Sequence, residues 1–184
     1  TAYRRQRQMC IRDRATAVVG GAVTEGAALE QSIGGVETLF KENASVVKAN
    51  ADAALKTAGL SANEYMSQVT SFSASLLSSL GGDTAKAAEV ADMAMIDMAD
   101  NANKFGTDME SIQNAYQGFA KQNYTMLDNL KLGYGGTQEE MQRLLQDASK
   151  ISGVKYDIGN LSDVYSAIHV IQNELGVTLS LIHI

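Results

Sequence analysis

The sequence predicts an all-α protein, a multi-helix bundle or orthogonal helical array with no sheet. Between residues 61 and 177, apolar side chains recur every three or four positions, whereas a half-buried strand would alternate by two. Polar N-cap residues precede these stretches, and glycines follow most of them. Proline is absent from the 184 residues, so the breaks between helices fall on glycine.

The N-terminal part of this pattern predicts two helices. The first is expected from about Ala28, where large apolar residues form one stripe. These residues are Leu29, Ile33, Val36 and Phe40. A break at Gly34-Gly35 is left open, because glycine costs a helix about 1 kcal/mol relative to alanine. Residues 45–58 carry a weaker, alanine-rich stripe that also predicts a helix.

Residues 61–136 carry the strongest signals, and the rest of the chain is organised around them. Ser or Thr with Glu three residues later forms a capping box, and an acidic residue after a glycine pair marks another helix start. The predicted starts are Ser61 with Glu64, Asp83 after Gly81-Gly82, and Thr107 with Glu110. The predicted elements are helices over 61–80, over 83–104 and from about 107, then an aromatic, glycine-rich loop over 123–136.

Two more helices are predicted at the C-terminal end. Thr137 and Glu140 form another capping box, and an apolar stripe follows up to Gly153. That stripe contains Met141, Leu144, Leu145, Ala148 and Ile151. Asn160 is the expected N-cap of the last helix, which Gly176 closes.

One long continuous stretch also carries a family resemblance. It reads SANEYMSQVTSFSASLLSSLGGDTAKAAEVADMAMIDMADNANKFGTDMESIQNAYQGFAKQNYTMLDNLKLGYGGTQEEMQRLL. It resembles the N-terminal region of tail tape measure proteins from long-tailed bacteriophages and prophages of Gram-positive bacteria. The resemblance runs from about Gly35 to Val177.

This resemblance implies a structural phage tail protein that is neither an enzyme nor a cofactor-binding protein. A tape measure is much longer than this chain, sets tail length during assembly in the host cytoplasm, and is ejected from the tail interior at infection. The implied partners are tail tube proteins, tail assembly chaperones and other tape measure copies. Membrane-active or wall-degrading segments occur downstream in many members, and we expect neither a membrane segment nor bound nucleic acid here.

Both ends of the chain differ in character from its body. The segment RRQRQMCIRDR resembles translated sequencing-adapter read-through, and the terminal LSLIHI looks similar in kind. We therefore expect non-native segments at both ends, although a genuine basic arm that binds nucleic acid or lipid is the alternative. The expected organisation is a non-native arm over 1–14, a small and glycine-rich lead-in over 15–34, the helical domain over 35–177 and a non-native tail over 178–184.

Charge separates the first fourteen residues from the remainder. The chain carries a formal net charge of −6, yet five arginines and one aspartate lie in that first segment. The remainder holds 10 basic and 20 acidic residues, a balance that disfavours binding to phosphate backbones. The single cysteine, Cys10, and His183 lie in the end segments, which leaves the body with His169 as its histidine and without a thiol.

An acidic group and a histidine are the first two candidate sites. Asp92, Asp97 and Asp100 suggest a divalent-cation site, but they lack the spacing of a calcium loop, and we favour a solvated helix face. His169 is a candidate general base with Asp163 or Glu174. No nucleophile motif accompanies it, so we favour a partly exposed structural histidine.

The loop over 123–136 supplies two further candidates. Gly133-Tyr134-Gly135-Gly136 suggests a phosphate loop but lacks the lysine of a P-loop, so we favour a flexible approach to the next helix. Large apolar residues around the loop suggest a contact surface for another copy, a tail chaperone or a tube subunit. They are Tyr116, Phe119, Tyr124, Met126, Leu127, Leu130 and Tyr134. We favour a local core for these residues, but they remain the best interaction candidate in the sequence.

Two other functional classes are compatible with a small acidic helical chain. A secreted helical effector or interaction protein would show a complete reading frame of this size and a secretion motif. A cell-wall hydrolase module would show a catalytic Glu, Cys or His constellation in a cleft.

Overall fold

The computed structural model describes residues 26–177 and contains no strand within that range, which confirms the all-α prediction. The helices are α1 over 26–40, α2 Ala44–Thr57, α3 Ala62–Ser79, α4 Thr84–Phe105, α5 Met109–Ala120, α6 Gln138–Ser152 and α7 Leu161–Glu174. Two 3-10 turns, Lys41–Asn43 and Leu127–Leu130, lie between them. The expected end segments over 1–14 and 178–184 lie outside the described residues.

α1 passes through Gly34-Gly35 without a break and crosses the expected boundary between lead-in and domain. The chain changes direction later, at Lys41, whose φ of 49° is left-handed. Gly35 faces α3, where an added Cβ would lie 3.2 Å from Thr70 Cγ2. The glycine therefore allows α1 and α3 to approach closely.

Most of the predicted helix starts and stops are confirmed. Ser61 and Glu64 form the reciprocal capping box, and the Asp83 carboxylate accepts from the backbone of Ala85 and Lys86. Asn160 caps α7 by accepting from the Ser162 amide. Thr137 caps α6 through the Glu140 amide, but the Glu140 carboxylate bonds the Gly135 amide instead of closing the box.

The predicted capping box at Thr107 is wrong. Asp108 is the N-cap of α5, and its carboxylate accepts from the Ser111 amide at 3.1 Å. α4 ends at Gly106 in the left-handed conformation, and the chain needs one further residue before it can re-enter a helix. Thr107 Oγ1 is buried there without a hydrogen-bond partner.

α4 lies at the centre of the array and packs against α2, α3, α5 and α7. Its buried residues include four alanines and two methionines that form much of its inner surface. They are Ala87, Ala88, Ala91, Ala94, Met95 and Met98. α6 packs mainly on α7, so α7 lies between α6 and the rest of the array. None of the helices within residues 26–177 is long and apolar enough to cross a membrane.

The two glycines of α1 provide a matched test of this packing. Gly34→Ala should stabilise the protein by about 0.5–1 kcal/mol, because an added Cβ meets nothing within 4 Å in an α-helix. Gly35→Ala should gain clearly less or destabilise, since its Cβ would crowd Thr70. Chemical denaturation of both variants measures the difference, and equal gains would contradict the close α1–α3 approach.

Candidate functional site

The predicted interaction residues lie mostly inside the protein. Five of the seven are at most 5% exposed and belong to the hydrophobic core: Tyr116, Phe119, Tyr124, Leu127 and Leu130. Met126 is 43% exposed, and Tyr134 is partly buried. In the folded chain, the set is therefore a local core with one exposed member rather than a contact surface.

These buried residues include three members of an aromatic cluster, which we define as Phe72, Tyr116, Phe119, Tyr124 and Tyr165. Tyr116 and Tyr165 have ring centroids 5.1 Å apart, and Phe72 meets Tyr165 edge-on at 5.6 Å. The Tyr165 hydroxyl donates to the Tyr116 carbonyl at 2.9 Å. Burial raises the pKa of both tyrosines well above the ordinary value, so their hydroxyls stay protonated. The cluster joins α3, α5 and α7.

The 123–136 loop is held to its neighbours along its length. The Tyr124 hydroxyl donates to the Ile158 carbonyl at 3.0 Å. Asn101 on α4 donates to the Leu130 carbonyl at 2.9 Å, within the second 3-10 turn. Lys131 then reverses the chain with a left-handed φ of 52°. The loop is thus part of the packed structure.

Gly133–Gly136 is fixed on α6, which corrects the expectation of a flexible approach. The Tyr134 hydroxyl donates to Asp147 at 3.1 Å, and the Arg143 guanidinium lies 4.8 Å from the centre of the Tyr134 ring. Arg143 also donates to the Gly133 carbonyl at 2.9 Å. Burial, followed by the Asp147 hydrogen bond, raises the pKa of Tyr134 to about 12. The Gly135 N–H, which a bound phosphate would need, donates its hydrogen bond to the Glu140 carboxylate.

The prediction of a solvated face for the three aspartates of α4 is wrong for Asp97 and Asp100, and Asp92 is partly buried. Asp97 and Asp100 are 1% and 2% exposed, and Asp92 accepts from the Tyr65 hydroxyl at 2.6 Å. The helical period that suggested an outward face does not account for the neighbouring helices, since α7 reaches Asp97 and α3 reaches Asp92. No group of three or more His, Cys, Asp or Glu side chains suited to a metal ion occurs in the part of the chain that the structure describes.

His169 pairs with Asp97, a partner that the sequence did not indicate. Its Nδ1 lies 2.8 Å and 3.0 Å from the two Asp97 carboxylate oxygens, and its Nε2 lies 2.8 Å from the Asn173 amide nitrogen. Asp163, one of the two predicted partners, instead accepts from the Asp157 amide. The His169 side chain is 35% exposed, which agrees with a partly exposed histidine engaged in structure.

The electrostatics of the pair follow from this geometry. The hydrogen bond to Asp97 raises the pKa of His169 above its ordinary value, against the opposing effect of partial burial. Burial raises the pKa of Asp97, although the His169 hydrogen bond acts in the opposite direction. Both shifts mean that the folded pair holds protons more tightly than the unfolded chain.

Further buried polar groups lie one helical turn from Asp97 and from His169, and one of them contacts Tyr116 on α5. We define the polar seam as Asp97, Asn101, Tyr116, His169 and Gln172. Gln172 donates to the Tyr116 hydroxyl at 3.3 Å, while Gln172 Oε1 and Asn101 Oδ1 are buried without a hydrogen-bond partner. Asn101 and Gln172 are fully buried. In the sequence, the signal for such a buried polar group is a polar residue at helical spacing on the same side as an apolar stripe.

No relative of this chain was found among known proteins. A scan against protein-family models, a search of curated proteins and a search of solved structures each found no match to the chain.

Alanine substitutions at Leu130 and Met126 test whether the loop residues belong to the core or form a contact surface. Leu130→Ala should cost about 2–5 kcal/mol of unfolding free energy, because it empties a fully buried site. Met126→Ala should change it much less, since Met126 is 43% exposed and leaves no enclosed cavity. Urea denaturation measures both, and a near-neutral Leu130→Ala would contradict the core placement.

Gly136 and Gly135 provide a second matched pair. A Cβ added to Gly136 would overlap the backbone carbonyl of Thr125, whereas one on Gly135 makes an ordinary contact with Glu140. Gly136→Ala should therefore destabilise the protein by about 1–3 kcal/mol, and Gly135→Ala clearly less. The thermal midpoints of the two variants provide the comparison. Equal midpoints would contradict the fixed conformation of this loop.

Proposed function

We propose that this chain is a segment of a phage tail tape measure protein with a structural rather than catalytic role. The observation that carries the proposal is the continuous resemblance from about Gly35 to Val177. The fold is compatible with it, because the same range forms one helical array around a shared core. The proposed role is to help set tail length in the host cytoplasm and to leave the tail interior at infection.

The dimensions of the helices bear on how such a segment would act. A single helix over the 35–177 range would span about 200 Å, at about 1.5 Å per residue. The longest described helix, α4, has 22 residues and so spans about 33 Å. Folded as described, the segment adds little to the length of a ruler. Within the proposal it is a compact end domain, or a domain that unpacks when it is loaded into the tube.

The proposed partners are the tail tube subunits, a tail assembly chaperone and further tape measure copies. Among the residues that the structure describes, acids outnumber bases, so this segment would repel DNA. The buried 116–134 residues are unavailable to these partners while the array is folded, and Met126 is the exposed member of that set.

Mass spectrometry of purified tails tests the proposal. Peptides from residues 35–177 should be present in intact particles of the phage that encodes the chain, and they should be lost after triggered DNA ejection. Peptides of the tail tube subunit provide the control, because they should remain in both samples. Absence of the 35–177 peptides from intact tails, or their full retention after ejection, would contradict the proposal.

Long-read sequencing of the encoding DNA gives an independent check. The reading frame should continue past Val177 into a long helical coding region beside tail genes. A frame that starts near Thr1 and stops at Ile184, away from tail genes, would favour the secreted effector. It would also favour the alternative that the N-terminal basic arm is genuine and binds nucleic acid or lipid.

A further inference from the structure

The pair formed by Asp97 and His169 differs from the other ion pairs described within residues 26–177. It joins two packed helices, α4 and α7, and its carboxylate is 1% exposed. The others have substantially solvated side chains, so water screens them. They are Lys48 with Glu37, Arg143 with Glu140, and Lys150 with Asp147. This pair, with its buried carboxylate, is thus the one whose charge state affects helix packing directly.

The groups around the pair leave its charge to be balanced internally. Tyr116 on α5 and Tyr165 on α7 are neutral because burial raises the pKa of each, and Asp100 is buried on α4. The four helices packed on α7 carry further titratable residues. On α3 and α5 they are Glu64, Tyr65 and Glu110. On α4 they are Lys86, Glu89, Asp92 and Lys104, and on α6 they are Glu139, Glu140, Arg143, Asp147 and Lys150. The ionised groups that act on His169 and on Asp97 are each other.

Proton loss from this pair changes the charge inside the α4–α7 contact. When both ring nitrogens of His169 carry a proton, the imidazolium and the Asp97 carboxylate form a net neutral pair. When the imidazole loses one of these protons, Nδ1 can still donate its hydrogen to Asp97, but the pair then carries a net charge of −1 and the contact loses its ionic attraction. The seam offers no compensation, since the nearby Asn101 and Gln172 already bury acceptor oxygens without hydrogen-bond partners.

We propose that Asp97 and His169 form a proton-operated latch that keeps α7, together with the α6 packed on it, docked against α4. Loss of the imidazolium proton of His169 loosens α6 and α7 while α2, α3 and α5 stay packed around α4. The topology permits this, because α6 and α7 are consecutive and join the rest through a single covalent link, the loop before Gln138.

The direction of the pH dependence follows from the shift on His169. Its pKa is raised from the ordinary value of 6.5 by the hydrogen bond to Asp97. The stabilisation is therefore complete below about pH 6.5 and is lost as the pH rises through the folded value. The raised pKa of Asp97 lowers stability with rising pH as well, but from the ordinary carboxyl range upwards. The titration of His169 is therefore the one that lowers stability as the pH rises from neutral into the alkaline range.

Hydrogen exchange on the full 184-residue chain tests the latch. After correction for intrinsic rates, protection of the α7 amides should fall several-fold between about pH 6 and about pH 9, while that of α2 and α3 changes little. His169→Gln does not titrate, so its α7 protection should be flat over this range. His183→Gln removes the other histidine and should retain the wild-type profile.

Three outcomes would overturn the latch. The first is unchanged α7 protection in the wild type. The second is a persisting drop in His169→Gln, and the third is an equal drop in α2 and α3, which indicates global titration. If His169→Gln does not fold, an NMR titration of the wild type decides. The His169 imidazole and the amides of α4 and α7 should shift with one midpoint above 6.5, and separate midpoints would refute the coupling.

Discussion

The packing around α4 is the constraint on which the rest of the structure depends. Four helices meet this one helix, and its inner surface is built largely of alanine and methionine. Small side chains permit close approach of the neighbouring backbones, and methionine fills the irregular gaps that remain. Larger residues at the alanine positions would push neighbours away and would open the core.

That central position also explains the unusual polar content of the core. The middle of α4, residues 94–101, is covered on nearly every side, so Asp97, Asp100 and Asn101 are buried. Buried polar groups are tolerated where partners reach them, as His169 reaches Asp97 and the Leu130 carbonyl reaches Asn101. α7 therefore packs through an apolar aromatic cluster on α3 and α5 and through the titratable Asp97–His169 pair on α4.

The same reasoning bears on the proposed tape measure role. A ruler segment that enters a narrow tube either stays compact or unpacks, and these alternatives depend on how firmly its outer helices are held. α6 and α7 form the outermost pair and are attached partly through a titratable contact. The aromatic cluster of α3, α5 and α7 opposes their release, because it buries large rings that do not respond to pH.

The sequence by itself determined the helical class, the helix boundaries to within about two residues, and most of the caps, since these depend on neighbours three or four positions apart. Thr107 failed because two adjacent residues competed for one cap, and local spacing does not rank them. The tertiary structure alone decided that Asp97 is buried and that His169, which is 72 residues away in sequence, is its partner. It also decided that Gly133–Gly136 is fixed on α6, and it buries Tyr116, Phe119 and Tyr124, for which the sequence had left a contact surface open. Periodicity shows that a helix has two faces, but the packing of distant segments decides which polar residues become buried and what they bind.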